Sequence, residues 1–282
     1  MTATRIRILL VTLGLLLLVT VPPLGAGVAG AAQQPFVTAH RGASAYAPEN
    51  TLAAVRLGVR MDADMVEVDV QRTKDGELVV MHDTTLARTT DVEHIFPDRA
   101  PWRIRDFTLA EIEKLDAGGW KSPKYDGEPV PTLAQVLDVL ADAEVGLMLE
   151  AKNPAQYPGI GPDILAELTA DPYWRAATDP SQLLLVSFDW RFQRGLHLLA
   201  PEYPVGVIGT PARGELDDLA DWADFVNVPH TELDRGLANR IHAAGLSTAP
   251  WTVNRRADMR RMIRTGADGI TTNRPDVLRS FL

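Results

Sequence analysis

Phe36-Val37-Thr38-Ala39-His40-Arg41-Gly42-Ala43-Ser44-Ala45-Tyr46-Ala47-Pro48-Glu49-Asn50-Thr51 passes from an apolar run, through a histidine and an arginine, into a loop of small residues. The composition predicts a strand that stops at His40. Asn50 or Thr51 can cap the apolar-periodic helix that begins at Leu52. Strand, short loop and helix together form the repeating unit of a parallel sheet. A basic pair at a strand end, just ahead of a helix N-terminus, suits a phosphate.

Working outward, nine strand-like runs are predicted: 36–40, 65–71, 78–83, 145–151, 183–188, 205–209, 224–228, 246–252 and 268–272. Helical patterns separate most of them, near 51–61, 132–142, 161–170, 190–199, 215–221, 233–244, 256–265 and 275–281. Nine is one too many for an eight-stranded barrel. The surplus is 78–83, which follows Thr73-Lys74-Asp75-Gly76. Asp-Gly marks a tight hairpin, and so short a turn makes the pair antiparallel. The expected fold is α/β, a (β/α)8 TIM barrel with a small insertion after the second barrel strand. An open doubly wound sheet is the alternative, but the Gly-rich nucleotide fingerprint it often carries is absent. The insertion, about 84–131, holds five prolines and five Phe, Trp or Tyr residues, with Thr108 and Glu111 spaced as a capping box. A loop that long is either a lid or binding element at the mouth, or a decoration packed by its own aromatics.

Three further blocks carry chemistry. In Met65-Val66-Glu67-Val68-Asp69-Val70-Gln71, strand alternation puts Glu67 and Asp69 on one face above Met65. Adjacent carboxylates need solvent, protons or a cation, and oxygen ligands suit Ca²⁺, Mg²⁺ or Mn²⁺. The competing reading is the solvated face of an edge strand. In Leu78-Val79-Val80-Met81-His82-Asp83, the hairpin returns His82 towards the level of Glu67 and Asp69. His82 is either a polar strand end or, with His40, half of an acid–base pair. In Val145-Gly146-Leu147-Met148-Leu149-Glu150-Ala151-Lys152, Glu150 and Lys152 share a face, either as an internal ion pair or as a third ligand beside a phosphate-binding cation.

These blocks, in this order and spacing, resemble the signature of the glycerophosphodiester phosphodiesterase family. Weaker pieces extend the resemblance from Phe36 to the C-terminus: Asp126–Leu133, Ser187-Phe188, Trp251-Thr252-Val253-Asn254 and Ala267–Asn273. The resemblance implies that His40 and His82 divide the acid and base roles. It also implies that Glu67, Asp69 and Glu150 hold one divalent ion (Ca²⁺ or Mg²⁺, with Mn²⁺ a further candidate), and that Arg41 and Lys152 bind the phosphate. Trp251 and Phe188 would touch the glycerol carbons, although a core tryptophan is an equal reading for Trp251. Glu49 could support the metal or Arg41, and Asn50 could join it or serve only as a helix cap. Asn273 departs from the pattern, since the family often has Asp there. The implied reaction cleaves a small-molecule glycerophosphodiester to sn-glycerol 3-phosphate and an alcohol. A route through a cyclic phosphate, made by a free glycerol hydroxyl and opened by water, is compatible with it. The remaining histidines are left out of the site: His94 lies in the insertion, His197 and His230 in regions without metal spacing, and His242 on a helix of the outer ring.

The 282 residues and 46% hydrophobic composition suffice for one barrel domain, placed at 36–282. With no cysteine, disulfides, thiolate ligands and a lipid-modified cysteine are excluded. Residues 1–31 carry Arg5 and Arg7, an uncharged run Ile8–Val21, and a small-residue site at Ala29-Gly30-Ala31. This is the layout of a secretory signal peptide, with an uncleaved anchor as the alternative. The protein is therefore expected to be exported, to the periplasm, cell surface or medium, with no stable membrane insertion after cleavage. Removal of that segment would take the formal charge from −9 to −11. Such acidity disfavours nucleic acid and anionic membranes as partners. Nothing in the sequence specifies an oligomeric state. Two rival activities are a phospholipase of type C or D on a similar barrel, and an aldolase-like lyase with Lys152 as Schiff base.

Overall fold

In the computed structural model, which describes residues 34–282, the apolar runs become strands β1 (Phe36–His40), β2 (Met65–Arg72), β3 (Leu78–Val80), β4 (Gly146–Ala151), β5 (Leu183–Ser187), β6 (Val205–Ile208), β7 (Phe225–Asn227) and β8 (Gly269–Thr272). The leader-like segment 1–31 lies outside the described residues. The sheet order is β7-β6-β5-β4-β2-β1-β8, with every pair along it parallel. The exception is β3, which pairs antiparallel with β2 through Val70↔Val80 and Arg72↔Leu78. The hairpin thus accounts for the ninth run.

The run 246–252 is the one expected strand that fails to form. It makes only single bridges, Phe225↔Ser247 and Pro229↔Trp251. Pro250 interrupts it and has no N–H to give a ladder. The segment still bonds on both sides. Val226 N donates to Ser247 O (2.8 Å) and Trp251 N to Val228 O (3.2 Å). On the other edge Thr271 N donates to Pro250 O (3.0 Å) and Val253 N to Thr271 O (2.9 Å). It therefore joins β7 to β8 and closes the barrel as an irregular seventh stave.

Helices 52–60, 133–143, 160–170, 190–199, 216–220, 235–243, 256–265 and 275–279 follow the eight staves in turn. Alternation along β2 explains the two-layer core. Val66, Val68 and Val70 face outward into the strand–helix core with Val55, Leu133 and Leu147. Met65 faces inward, packing with Met148, Leu184, Ile208 and Phe225 as the barrel floor. At Gly42 the backbone has φ 76°, and a Cβ would lie 2.4 Å from Ala54 C. Only glycine lets the loop after β1 lie against helix 52–60 there.

The insertion has its own core of Leu86, Val92, Ile104, Phe107, Ile112 and Leu115 against Val79 and Met81. Phe96 and Phe107 pack edge to face at 5.4 Å, and Arg99 stacks 3.8 Å over Phe107. It also reaches the barrel mouth, where Lys121 Nζ donates to Ser44 O (2.8 Å). Both features anticipated for it, packed aromatics and position at the mouth, coexist.

Helix 160–170 carries Glu167, whose Oε2 is buried without a hydrogen-bond partner among the described residues. Burial, then the charges of Glu77 and Asp163, push its carboxyl up to about 7. The folded state therefore holds a proton that the unfolded chain releases above its ordinary 4.5. The stability it contributes is complete below that value and is lost as pH rises towards the folded value. Between about pH 4.5 and 7, melting temperatures should fall more steeply for the wild type than for Glu167→Gln; parallel curves would contradict this.

Candidate active site

The register builds the site. Parallel pairing sets His40 opposite Glu67 and Asp69 opposite Glu150. Alternation turns Glu67 and Asp69 inward, where they are 4% and 0% exposed, which removes the solvated-edge reading. Ligand oxygens of Glu67, Asp69 and Glu150 all lie within 4.8 Å of one another.

Electrostatics show what this grouping requires. Burial, then the Asp69 charge, pushes Glu67 well above the carboxylate range and Glu150 up to about 8. Burial alone would raise Asp69 too, but Arg41 and then Lys152 reverse this and hold it below its ordinary value. Asp69 Oδ1 is buried with no hydrogen-bond partner among the described residues. Three crowded oxygen donors, two of them pushed towards the protonated form and one with an oxygen unpaired among the described residues, fit a divalent cation.

Two cations frame this group. Arg41 Nε lies 3.2 Å from Asp69, its Nη1 donates to Glu49 (2.8 Å), and its main-chain N donates to Glu67 Oε2 (2.8 Å). Lys152 Nζ is 2.8 Å from Glu150 and 3.6 Å from Asp69. Burial would discharge Lys152, but Asp69 and Glu150 outweigh it and keep the ammonium protonated. A Schiff-base lysine needs the opposite, so the lyase reading loses its nucleophile.

Asn50 is not the helix cap. Thr51 accepts from Ala54 N (3.3 Å) in that role, while Asn50 Nδ2 donates to Asp69 Oδ2 (2.8 Å). Glu49 holds Arg41 rather than joining the three carboxylates.

Both histidines are pinned through Nδ1. In His40 it contacts Asn273 Oδ1 at 2.6 Å, and in His82 it contacts Asp83 Oδ1 at 2.7 Å. An acceptor at Nδ1 sets the Nδ1–H tautomer and frees Nε2. His40 Nε2 is 3.9 Å from Glu67. Burial, then Arg41, lowers the His40 pKa to about 4. Asn273 orients this ring but brings no charge to favour an imidazolium, which is the physical consequence of the departure noted above. His82 lies beyond β3, which ends at Val80 rather than at residue 83. Gln71 Nε2 holds this turn by donating to Met81 O and Asp83 O, both at 2.7 Å.

One inner cavity is lined by His40, Arg41, Glu67, His82, Glu150 and Lys152, with Met148, Val186, Phe188, Ile208, Asn227, Trp251 and Thr271. Phe188 is 52% exposed and packs edge to face on Trp251 at 5.4 Å. Trp251 is half-buried at the cavity wall, so it is no simple core residue. Beyond Phe188 a wider groove of about 640 Å³ runs past Asn153, Gln156, Asp189 and Trp190.

Sequence reasoning missed Arg88. Its guanidinium bridges Asp83 (Nε, 2.6 Å) and Glu49 (Nη2, 2.7 Å), tying the His82 partner to the Arg41 partner. The Arg88 hydrogen bond, foremost, holds Asp83 down to about 2. No local pattern marks Arg88. Both partners precede it, Asp83 by 5 positions and Glu49 by 39, and the insertion's fold brings them together.

The family profile described as the glycerophosphoryl diester phosphodiesterase family matches residues 40–277. The glycerophosphodiester phosphodiesterase of Caldanaerobacter subterraneus is 34% identical, covering 86% of this chain and 96% of the relative. That of Bacillus subtilis is also 34% identical, over 86% of this chain and 84% of its own length. Among solved structures, an Oleispira antarctica phosphodiesterase in complex with the product sn-glycerol-3-phosphate superposes with a TM-score of 0.74. It is 29% identical over 88% of this chain and 96% of that one. The carboxylates, histidines and cations gathered at one barrel mouth thus sit on a chain that belongs to the glycerophosphoryl diester phosphodiesterase family.

Proposed function

We infer that the protein hydrolyses glycerophosphodiesters to sn-glycerol 3-phosphate and an alcohol such as choline or ethanolamine. The observation that carries this reading is the convergence of Glu67, Glu150, Arg41, Lys152 and two histidines on one cavity, with Asp69 buried beside the two glutamates. Glu67, Asp69 and Glu150 would hold the metal, with Ca²⁺ or Mg²⁺ and then Mn²⁺ matching an all-oxygen set. Such an ion, when bound, supplies positive charge against a phosphate oxygen and the charge that grows there in the transition state.

The chain's own groups do the rest. Arg41 is fixed by Glu49 and Asp69, so its remaining N–H donors meet a phosphate without reorganising. Lys152 adds a permanent point charge beside the other oxygen of Asp69, 3.6 Å from Oδ1. His40 and His82 both line the cavity, and with each Nδ1 occupied the reacting nitrogen would be Nε2. One takes the proton of the attacking oxygen and the other gives a proton to the departing alkoxide. The Phe188–Trp251 pair offers apolar surface to the glycerol carbons. The leader-like residues 1–31 support export of the enzyme to the cell surface or medium.

The direct check compares glycerophosphocholine with intact phosphatidylcholine. Hydrolysis of the first and not the second is expected. Preference for the intact lipid would favour the phospholipase reading.

A further inference from the structure

We propose that Asn227 is a specificity residue that accepts a hydrogen bond from a free hydroxyl of the substrate's glycerol, so that the site selects deacylated glycerophosphodiesters. This rests on the phosphodiesterase reading above.

Asn227 ends β7 with its side chain on the wall of the reaction cavity. It is 3% exposed, and its Oδ1 has no hydrogen-bond partner among the described residues. Its Nδ2 reaches only Met148 Sδ, at 3.9 Å. A buried amide left this way is costly, and such orphans in native structures call for a missing partner. Its neighbours do not supply one. Met148, Val186 and Ile208 are apolar, and the Trp251 indole N–H is already spent on Asn227's own main-chain carbonyl (2.9 Å).

That last bond fixes Trp251 to the backbone of the same residue whose amide is unpaired. Apolar wall and single acceptor are therefore set in a fixed relation. A glyceryl group has this pattern: carbons for the tryptophan, and hydroxyl hydrogens for one well-placed oxygen. Acylation removes an O–H donor and would leave Oδ1 buried against an ester. Sites built to bond a hydroxyl discriminate strongly against analogues that lack it.

The test uses sn-glycero-3-phosphocholine and its two monodeoxy analogues, lacking the 1- or the 2-hydroxyl, with wild type and Asn227→Ala. In the wild type, kcat/KM for one analogue should fall at least ~10-fold below the parent. In Asn227→Ala that ratio should shrink towards one, while the ratio for the other analogue keeps its wild-type value. Ratios unchanged by the substitution would overturn the proposal. Inhibition of the wild type by sn-glycerol 3-phosphate and by the two propanediol phosphates gives a second reading that needs no variant. Equal inhibition by all three would also overturn it. Absence of hydrolysis of the parent ester by the metal-loaded wild type would remove the phosphodiesterase reading itself, and is distinguished from the other outcomes by that fact.

Discussion

Asp69→Asn is expected to lower turnover of glycerophosphocholine at least ~10²-fold while the fold survives. The substitution keeps the side chain's size and its contact with Asn50, but removes the one carboxylate of the three whose pKa is held below its ordinary value. Glu67→Gln and Glu150→Gln should follow, each weakening divalent-cation binding measured by calorimetry. Excess metal should partly rescue the Glu variants, because two ligands remain. The three losses should not multiply, since the carboxylates act on one ion. A variant that keeps full metal affinity yet loses activity would separate that residue from the metal.

His40→Ala and His82→Ala should each cost about 10²–10⁴-fold in turnover with little change in melting temperature. The double variant should lose less than the product of the single losses. The substrates separate the roles. Loss of the leaving-group acid should harm a choline ester, whose alkoxide needs a proton, far more than a nitrophenyl ester, whose phenolate leaves unaided. Equal losses on both esters for both variants would contradict the division. Near-normal turnover of the choline ester by either variant would remove that histidine from the reaction.

The barrel was legible because its signals are local. Alternation along 65–71 turned Glu67 and Asp69 to one face, and Asp75-Gly76 marked 78–83 as a hairpin return rather than a stave. Parallel register then carried these residues to Glu150 and His40 with no further instruction. The irregular seventh stave was read as an ordinary strand because its apolar run was weighed above Pro250, which breaks the ladder. The cap was ambiguous between Asn50 and Thr51 because both residue types can cap. Only the fold shows that the Asn50 amide meets a carboxylate 19 positions away.

The hidden part of the site consists of long-range pairings. Asn273 meets His40 across 233 positions and Arg88 meets Glu49 across 39. The unpaired amide of Asn227 is invisible in a sequence, because an absent partner leaves no pattern. The types of chemistry at each strand end were readable, but the bonds that hold them in position were not.

The central claim is that this cavity cleaves a glycerophosphodiester on the alcohol side of phosphorus with a divalent ion bound by Glu67, Asp69 and Glu150. Phosphorus NMR of glycerophosphocholine hydrolysis, run on enzyme stripped of metal and again after adding Ca²⁺ or Mg²⁺, tests it most directly. The account predicts no turnover in the stripped enzyme, and sn-glycerol 3-phosphate as the one new phosphorus signal once metal is restored. Full activity after exhaustive chelation, or choline phosphate as the product, would contradict it.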